Sequence, residues 1–287
     1  MGTSNLYRGP KGSSLLPEDY QTSDDDLIAG GGASQDNDEP KDEDDGDKDS
    51  QNEEEDEGQD EQQQPAAPSE TWTSAKKYYT SQLGSRHPNV RGIGEHYTKA
   101  AGGYRYAAST SKVSKQVASG IIYLFSGTPE LIRQRLERIG IIFEGRTTKE
   151  IFNDIYNYLR TGSSTREEAV ADRALAQAIS DFYASDLFEE QGLDVFNPET
   201  LRFLVSHFIA NSIYYRLLNE VSFGELTADK NTNQITKIEK DLKGYIDGLV
   251  NGKVPEHIRS GMSQEEVKGL VNDLYIRCYK VMEGLAQ

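Results

Sequence analysis

Four histidines, one cysteine, two glycine clusters and a belt of cations interleaved with tyrosines are the residues of this 287-residue chain whose types could do chemistry. His87, His96, His207 and His257 occur in neither an H-x-H nor an H-E-x-x-H arrangement, and a carboxylate at helical spacing that could orient a ring is not evident, so metal ligation is not expected. His207 falls inside an apolar stretch and reads as a hydrogen-bonded core histidine. Cys278 stands in a hydrophobic seam, where a thiol packs as a small hydrophobe rather than attacking a substrate. A lone cysteine also excludes a disulfide framework and fits a reducing compartment.

The glycine clusters Gly30–Gly32 and Gly102–Gly103 follow no strand, and the phosphate-loop pattern G-x-x-x-x-G-K-[ST] is missing. Asp45, Asp47, Asp49 and Asp56 approach the spacing of a calcium loop, yet Ser50 holds the sixth position, where that loop demands glycine. In so acidic a stretch, chance accounts for the match. The carboxylate pairs Glu167–Glu168 and Glu189–Glu190 fall at helix ends, where the dipole explains the first and solvation the second. No enzyme, cofactor or metal is expected on these residues.

One cluster does suggest binding. Between residues 72 and 120 eight cations face a single acid, Glu95, and Trp72, Tyr78, Tyr79, Tyr97, Tyr104 and Tyr106 are interleaved with them. Cations neutralise phosphates while aromatic faces stack on bases, so Arg91, Lys99, Arg105, Lys112 and Lys115 are candidate contacts for nucleic acid or a partner. The plainer reading, that the rings pack on the bundle and the cations form a solvated face, is the favoured one, and nucleic acid is not the favoured partner. A third is that the acidic stretch before them competes for the same surface, in which case deleting residues 24–68 raises affinity for DNA or RNA.

Charge and periodicity define the elements that must position these groups. The net charge is -17, but the first 70 residues hold 4 basic and 22 acidic side chains, which leaves the remaining 217 residues near neutral at +1. Four regions follow: an N-terminal peptide motif over 1–20, a disordered acidic linker over 21–70, a basic helical segment over 71–126 and an α-helical bundle over 127–287. The linker is too poor in apolar side chains to offset the entropy of ordering it. Helices are expected near 74–83, 104–125, 129–139, 148–161, 165–190, 198–221, 233–250 and 264–285. Their starts are marked by Thr128 before Pro129, Asn197 before Pro198, and capping boxes at Thr147/Glu150, Ser164/Glu167 and Ser263/Glu266; Gly140, Gly162 and Gly192 mark ends. The stretch Leu201 to Val221 is apolar around most of its circumference and belongs in the middle of a bundle. Ile235, Ile238, Leu242, Tyr245 and Leu249 form a seam on one helix, and Val267, Val271, Leu274, Cys278, Val281 and Leu285 another on the next. No segment alternates long enough for a strand, so the fold class is all-α, a helical bundle preceded by a long disordered acidic N-terminal segment. The longest apolar run, Ile121 to Phe125, is far below the ~20 residues of a membrane span. A cytoplasmic location without membrane contact is expected, and Leu6 breaks the myristoylation pattern at Gly2.

The N-terminal peptide Met1-Gly2-Thr3-Ser4, with Tyr7-Arg8-Gly9-Pro10-Lys11-Gly12 and Leu15-Leu16-Pro17, resembles the start of QatB proteins of bacterial Qat antiphage defence systems. Further along, Ala101-Gly102-Gly103-Tyr104-Arg105-Tyr106-Ala107-Ala108-Ser109 is similar to that family's Gly- and Arg-rich helix entry. Glu167-Glu168-Ala169-Val170-Ala171-Asp172-Arg173-Ala174 resembles its acidic helix, and Phe208-Ile209-Ala210 through Leu217-Leu218-Asn219-Glu220 its long central helix. The chain departs from the family where Gly-Gly-Pro and a following Trp are common: Arg8 precedes Gly9-Pro10, and Tyr20 is the nearest aromatic. The resemblance implies a non-enzymatic partner or scaffold working beside an ATPase, a QueC-like enzyme and a TatD-like nuclease. It further implies that Gly2, exposed by removal of Met1, accepts a deazaguanine-type modification from the QueC-like partner. Thr3, Ser4, Tyr7, Gly9 and Pro10 would be the recognition residues. An unmodified α-amine titrates near ~8 and glycine adds no side chain to obstruct an enzyme slot. The competing readings are a nucleic-acid-binding helical protein and an acidic DNA mimic.

Overall fold

Helix-start signals in the sequence become helix starts in space. A computed structural model describes residues 68–83, 85–188, 196–222, 232–255, 258–259 and 261–285. The candidate residues Gly2, Thr3, Ser4, Tyr7, Gly9 and Pro10, the acidic linker through residue 67, the Glu189–Glu190 pair, Gly192 and His257 lie outside these. Among the described residues all regular structure is helical: α1 (Trp72–Gln82), α2 (Val90–Ala100), α3 (Tyr104–Ser109), α4 (Lys112–Phe125), α5 (Pro129–Arg138), α6 (Thr148–Leu159), α7 (Arg166–Tyr183), α8 (Pro198–Val221), α9 (Thr232–Asn251) and α10 (Gln264–Met282). None is long and apolar enough to cross a membrane.

The caps carry the local logic. Thr128 accepts from the Leu131 amide ahead of Pro129, and Asn197 accepts from the Thr200 amide ahead of Pro198. Reciprocal capping boxes close α6 through Thr147 and Glu150 and α10 through Ser263 and Glu266. The box on α7 is one residue later than the sequence suggested: Thr165, not Ser164, pairs with Glu168. Glu167 is thereby released to a different task. Its carboxylate accepts from the Val113 amide at 2.9 Å and caps α4 from another helix. The N-cap Ser111 makes no such bond; its hydroxyl donates back to the Ala107 carbonyl and accepts from Arg216.

Three further boundaries differ from expectation. The run 104–125 is two helices, since Thr110 and Ser111 direct their hydroxyls to the carbonyls of Tyr106 and Ala107 and compete with continuation of the helix. α7 stops at Tyr183 because Ser185 donates to the Phe182 carbonyl and accepts from the Leu187 amide. α10 ends at Met282, where Gly284 takes a φ of 82° and the Leu285 amide bonds back to Lys280. Leu285 is therefore exposed and Met282 takes its place in the seam.

α2 has no counterpart in the sequence reading. Two interior glycines lower its helix propensity, and packing compensates. A Cβ on Gly92 would sit 2.3 Å from the Tyr78 hydroxyl of α1, and one on Gly94 would meet Met282 of α10 at 3.4 Å. The missing Cβ at Gly92 is what lets Tyr78 of α1 sit so close, whereas at Gly94 a methyl would make ordinary contact with Met282 of α10.

α8 runs through the middle and packs on α7, α9, α4 and α1, while α10 packs on α3 and α4. Its apolar circumference is buried as expected, from Leu201 through Val221. On α9 the seam is Ile238, Leu242, Ile246 and Val250, with Ile235, Tyr245 and Leu249 half-buried beside it. Below α8 a phenylalanine cluster fills the space between helices. Phe152 stacks on Phe182 with centroids 4.8 Å apart and on Phe196 at 5.9 Å, and Phe125 tilts against both Phe152 and Phe196. Truncating such a ring to alanine costs about 3–5 kcal/mol.

Candidate anion-binding groove

The cations singled out in the sequence divide by position. Arg91 and Lys99 lie on α2, where Lys99 pairs with Glu95 at 2.6 Å. Arg105, Lys112 and Lys115 come together on α3 and α4, along a groove whose opposite wall is α10. Lys112 and Lys115 are one turn apart on α4. Across from them α10 presents Lys268, Asn272, Ile276 and Lys280 at intervals of four, the stripe that flanks its buried Val267, Val271, Leu274 and Cys278.

Two stretches make up the groove. One encloses about 1080 Å³ between α4, the end of α6 and the start of α10, and the other about 620 Å³ between α3, α4 and the later part of α10. Lys112, Lys115 and Asn272 line both and join them. The Lys115 ammonium donates to the Asn272 side-chain carbonyl at 3.0 Å, spanning the floor. Six cations line the groove in all: Arg105, Lys112, Lys115, Lys268, Arg277 and Lys280. No Asp or Glu stands among the described residues that line it. Two acids do reach in from the rim, Glu265 to Lys268 at 3.1 Å and Asp273 to Arg277 at 4.0 Å, both exposed pairs of small energetic weight.

Electrostatics follow from that imbalance. Burial holds the Lys115 ammonium below the usual lysine range; Glu167 opposes this, and the charges of Lys112 and Arg216 reinforce it. An anion entering the groove relieves the same repulsion. Arg216, on α8 behind the groove wall, is fully engaged. It donates to the Ser111 hydroxyl at 2.5 Å, the Thr110 hydroxyl at 2.7 Å and the Ala107 carbonyl at 3.3 Å, and so fixes the α3–α4 junction. The start of α3 is fixed from the other side by Glu283, whose carboxylate accepts from the Tyr104 amide at 2.8 Å.

The aromatic residues of the basic segment mostly pack inward. Tyr79 and Tyr97 are buried, Tyr78 stacks on His96 with centroids 3.9 Å apart, and Trp72 tilts over Tyr97. The exposed rings at the groove are Tyr123, 49% exposed at the end of α4, and Tyr158, 54% exposed on α6, whereas Tyr106, 44% exposed, lies away from it. Sequence reading missed Tyr123, Tyr158, Lys268, Arg277 and Lys280. The spacing of four from Lys268 through Asn272 to Lys280 is the signal that could have found those two lysines; Arg277 lies off that stripe.

The remaining candidate chemistry is occupied by structure. His207 stacks on Phe203 at 3.9 Å and its Nδ1 lies 3.1 Å from Asp181. Asp181 also accepts from Gln177, and Asn211 accepts from Lys243 at 2.8 Å, giving a polar network among α7, α8 and α9. His96 meets Glu70 at 2.6 Å. Burial pushes the Cys278 thiol up to about 12, so it is protonated at neutral pH. Among the described residues no three His, Cys, Asp or Glu side chains gather at metal-holding range.

A family model described as Qat anti-phage system associated protein QatB matches residues 102–282, a span that takes in both walls of the groove. No curated protein and no solved structure matches.

Proposed function

Since the chain belongs to the QatB family and so takes part in an anti-phage defence system, we propose that it acts there without catalysis of its own, as the protein on which partner enzymes assemble and act. Family membership over residues 102–282 is the observation that carries this reading. The partners are a QueC-like enzyme, an ATPase and a TatD-like nuclease of the same system. The helical body supplies docking surfaces, and the N-terminal peptide supplies the acceptor.

Gly2 is that acceptor. After removal of Met1 its neutral α-amine attacks a deazaguanine-type group that the QueC-like partner holds in activated form. The new bond forms to the Gly2 nitrogen as the activating group leaves with the bonding pair and the nitrogen gives up a proton, with Thr3, Ser4, Tyr7, Gly9 and Pro10 read by the enzyme. Support comes from the likeness of the first residues to the family's N-terminus and from the lack of steric hindrance at glycine. Intact mass of the full chain co-expressed with its operon partners tests it. A mass above that of the chain lacking Met1, located to the N-terminal peptide by fragmentation, is expected. A mass matching Met1 removal alone, or full phage defence by a Gly2→Glu variant, overturns the acceptor role.

A further inference from the structure

We propose that the groove between α3–α4 and α10 is a binding track for single-stranded nucleic acid. Charge is the first argument. Six cations, Arg105, Lys112, Lys115, Lys268, Arg277 and Lys280, follow one continuous concave path without a lining carboxylate, on a body whose residues 71–287 are near neutral at +1. Cations gathered on one concave path of a near-neutral body attract a polyanion along that path.

The rings are the second argument. Tyr123 and Tyr158 stand half-exposed in the larger stretch, whose lining also includes Lys112, Lys115 and Lys268, and Arg135 covers one face of the Tyr123 ring at 5.1 Å. Flat exposed faces next to cations suit unpaired bases, which stack while their phosphates are neutralised. A duplex keeps its bases stacked on one another and offers neither face to a side chain. A peptide of Asp and Glu alone satisfies the cations but leaves the rings without a stacking partner. The amides of Gln116 and Asn272 line the same stretch and add donors and acceptors for base edges. This inference is independent of any modification at Gly2.

Fluorescence anisotropy of the full chain tests it, with labelled oligodeoxythymidylate and oligouridylate of about 20 nucleotides, a duplex of the same length and poly-glutamate, at about 50 mM salt. Binding of one or both single strands, tighter than the duplex, is expected, and which strand binds tells DNA from RNA. Lys112→Glu with Lys280→Glu lowers affinity at least about tenfold and flattens the log-log salt slope by about 1.4. Tyr158→Ala lowers it about fivefold or more. Lys240→Glu, an exposed change on α9 away from the groove, leaves it unaltered. Far-ultraviolet circular dichroism confirms that each variant is folded. Failure of both single strands to bind, binding of poly-glutamate alone, or equal losses in the Lys240→Glu control overturn the proposal.

Discussion

Asp172 holds Ser163 in place: the carboxylate on α7 accepts from the Ser163 hydroxyl at 2.7 Å, and Ser163 is the described non-glycine residue with a positive φ, 57°. The same carboxylate accepts from the Thr161 amide at 2.7 Å, the Thr161 hydroxyl at 3.0 Å and the Gly162 amide at 3.2 Å. One buried side chain thus organises the whole α6–α7 connection. Burial pushes its pKa up, but the bonds from Thr161, Ser163 and Gly162 outweigh this and the net shift is downward. Because the folded carboxyl binds its proton less tightly than the unfolded one, its stabilisation is complete above the unfolded value of about 3.9 and is lost as pH falls through the folded value. Asp172→Asn is expected to lose about 2 kcal/mol in urea denaturation at pH 7. The gap between variant and wild type narrows in the same measurement carried into that acid range.

Arg216 makes a different kind of link, a planar fork that meets two hydroxyls and a carbonyl on the α3–α4 junction. Lysine keeps the charge but cannot reproduce the fork. Arg216→Lys should cost about 2 kcal/mol. Hydrogen exchange should show protection falling first in residues 104–125, and uniform loss across the chain would contradict a local role.

The α7 cap offers a discrimination between neighbouring residues. Thr165→Ala should lower stability by about 1 kcal/mol, since its hydroxyl accepts from the Glu168 amide at 3.2 Å. Ser164→Ala should leave the thermal midpoint unchanged within error. Equal effects would place the cap wrongly.

Cys278 gives a test of packing. With its thiol buried and raised to about 12, the native chain should resist alkylation at pH 8 and react only on denaturation. Rapid labelling of the folded protein, followed by mass spectrometry, would show that α10 opens.

Much of the helical architecture was legible because its signals are local. A Thr before Pro, a hydroxyl three residues ahead of Glu and an apolar stripe each act within one or two turns, so α5, α6, α8 and α10 begin where the residues say. Ser164 and Thr165 defeated that reasoning because both are followed by Glu at the third position, and only Asp172, bonding residues 161 to 163, fixes the frame. α2 was illegible for a related reason. Its glycines argue against a helix until the Tyr78 hydroxyl is seen where a Cβ on Gly92 would sit. The groove was half legible. Arg105, Lys112 and Lys115 stand in a recognisable basic run, but 157 residues separate Lys115 from Asn272, and nothing short of the fold brings α10 alongside. The inward turn of Tyr79 and Tyr97 is likewise a tertiary fact.

The wall formed by α10 has a consequence for when the groove can exist. As the chain leaves the ribosome, Arg105, Lys112 and Lys115 emerge more than a hundred residues before Lys268, Arg277 and Lys280. Any fragment that stops short of α10 therefore carries Arg105, Lys112 and Lys115 without an opposing wall, and leaves the Tyr104 amide without Glu283.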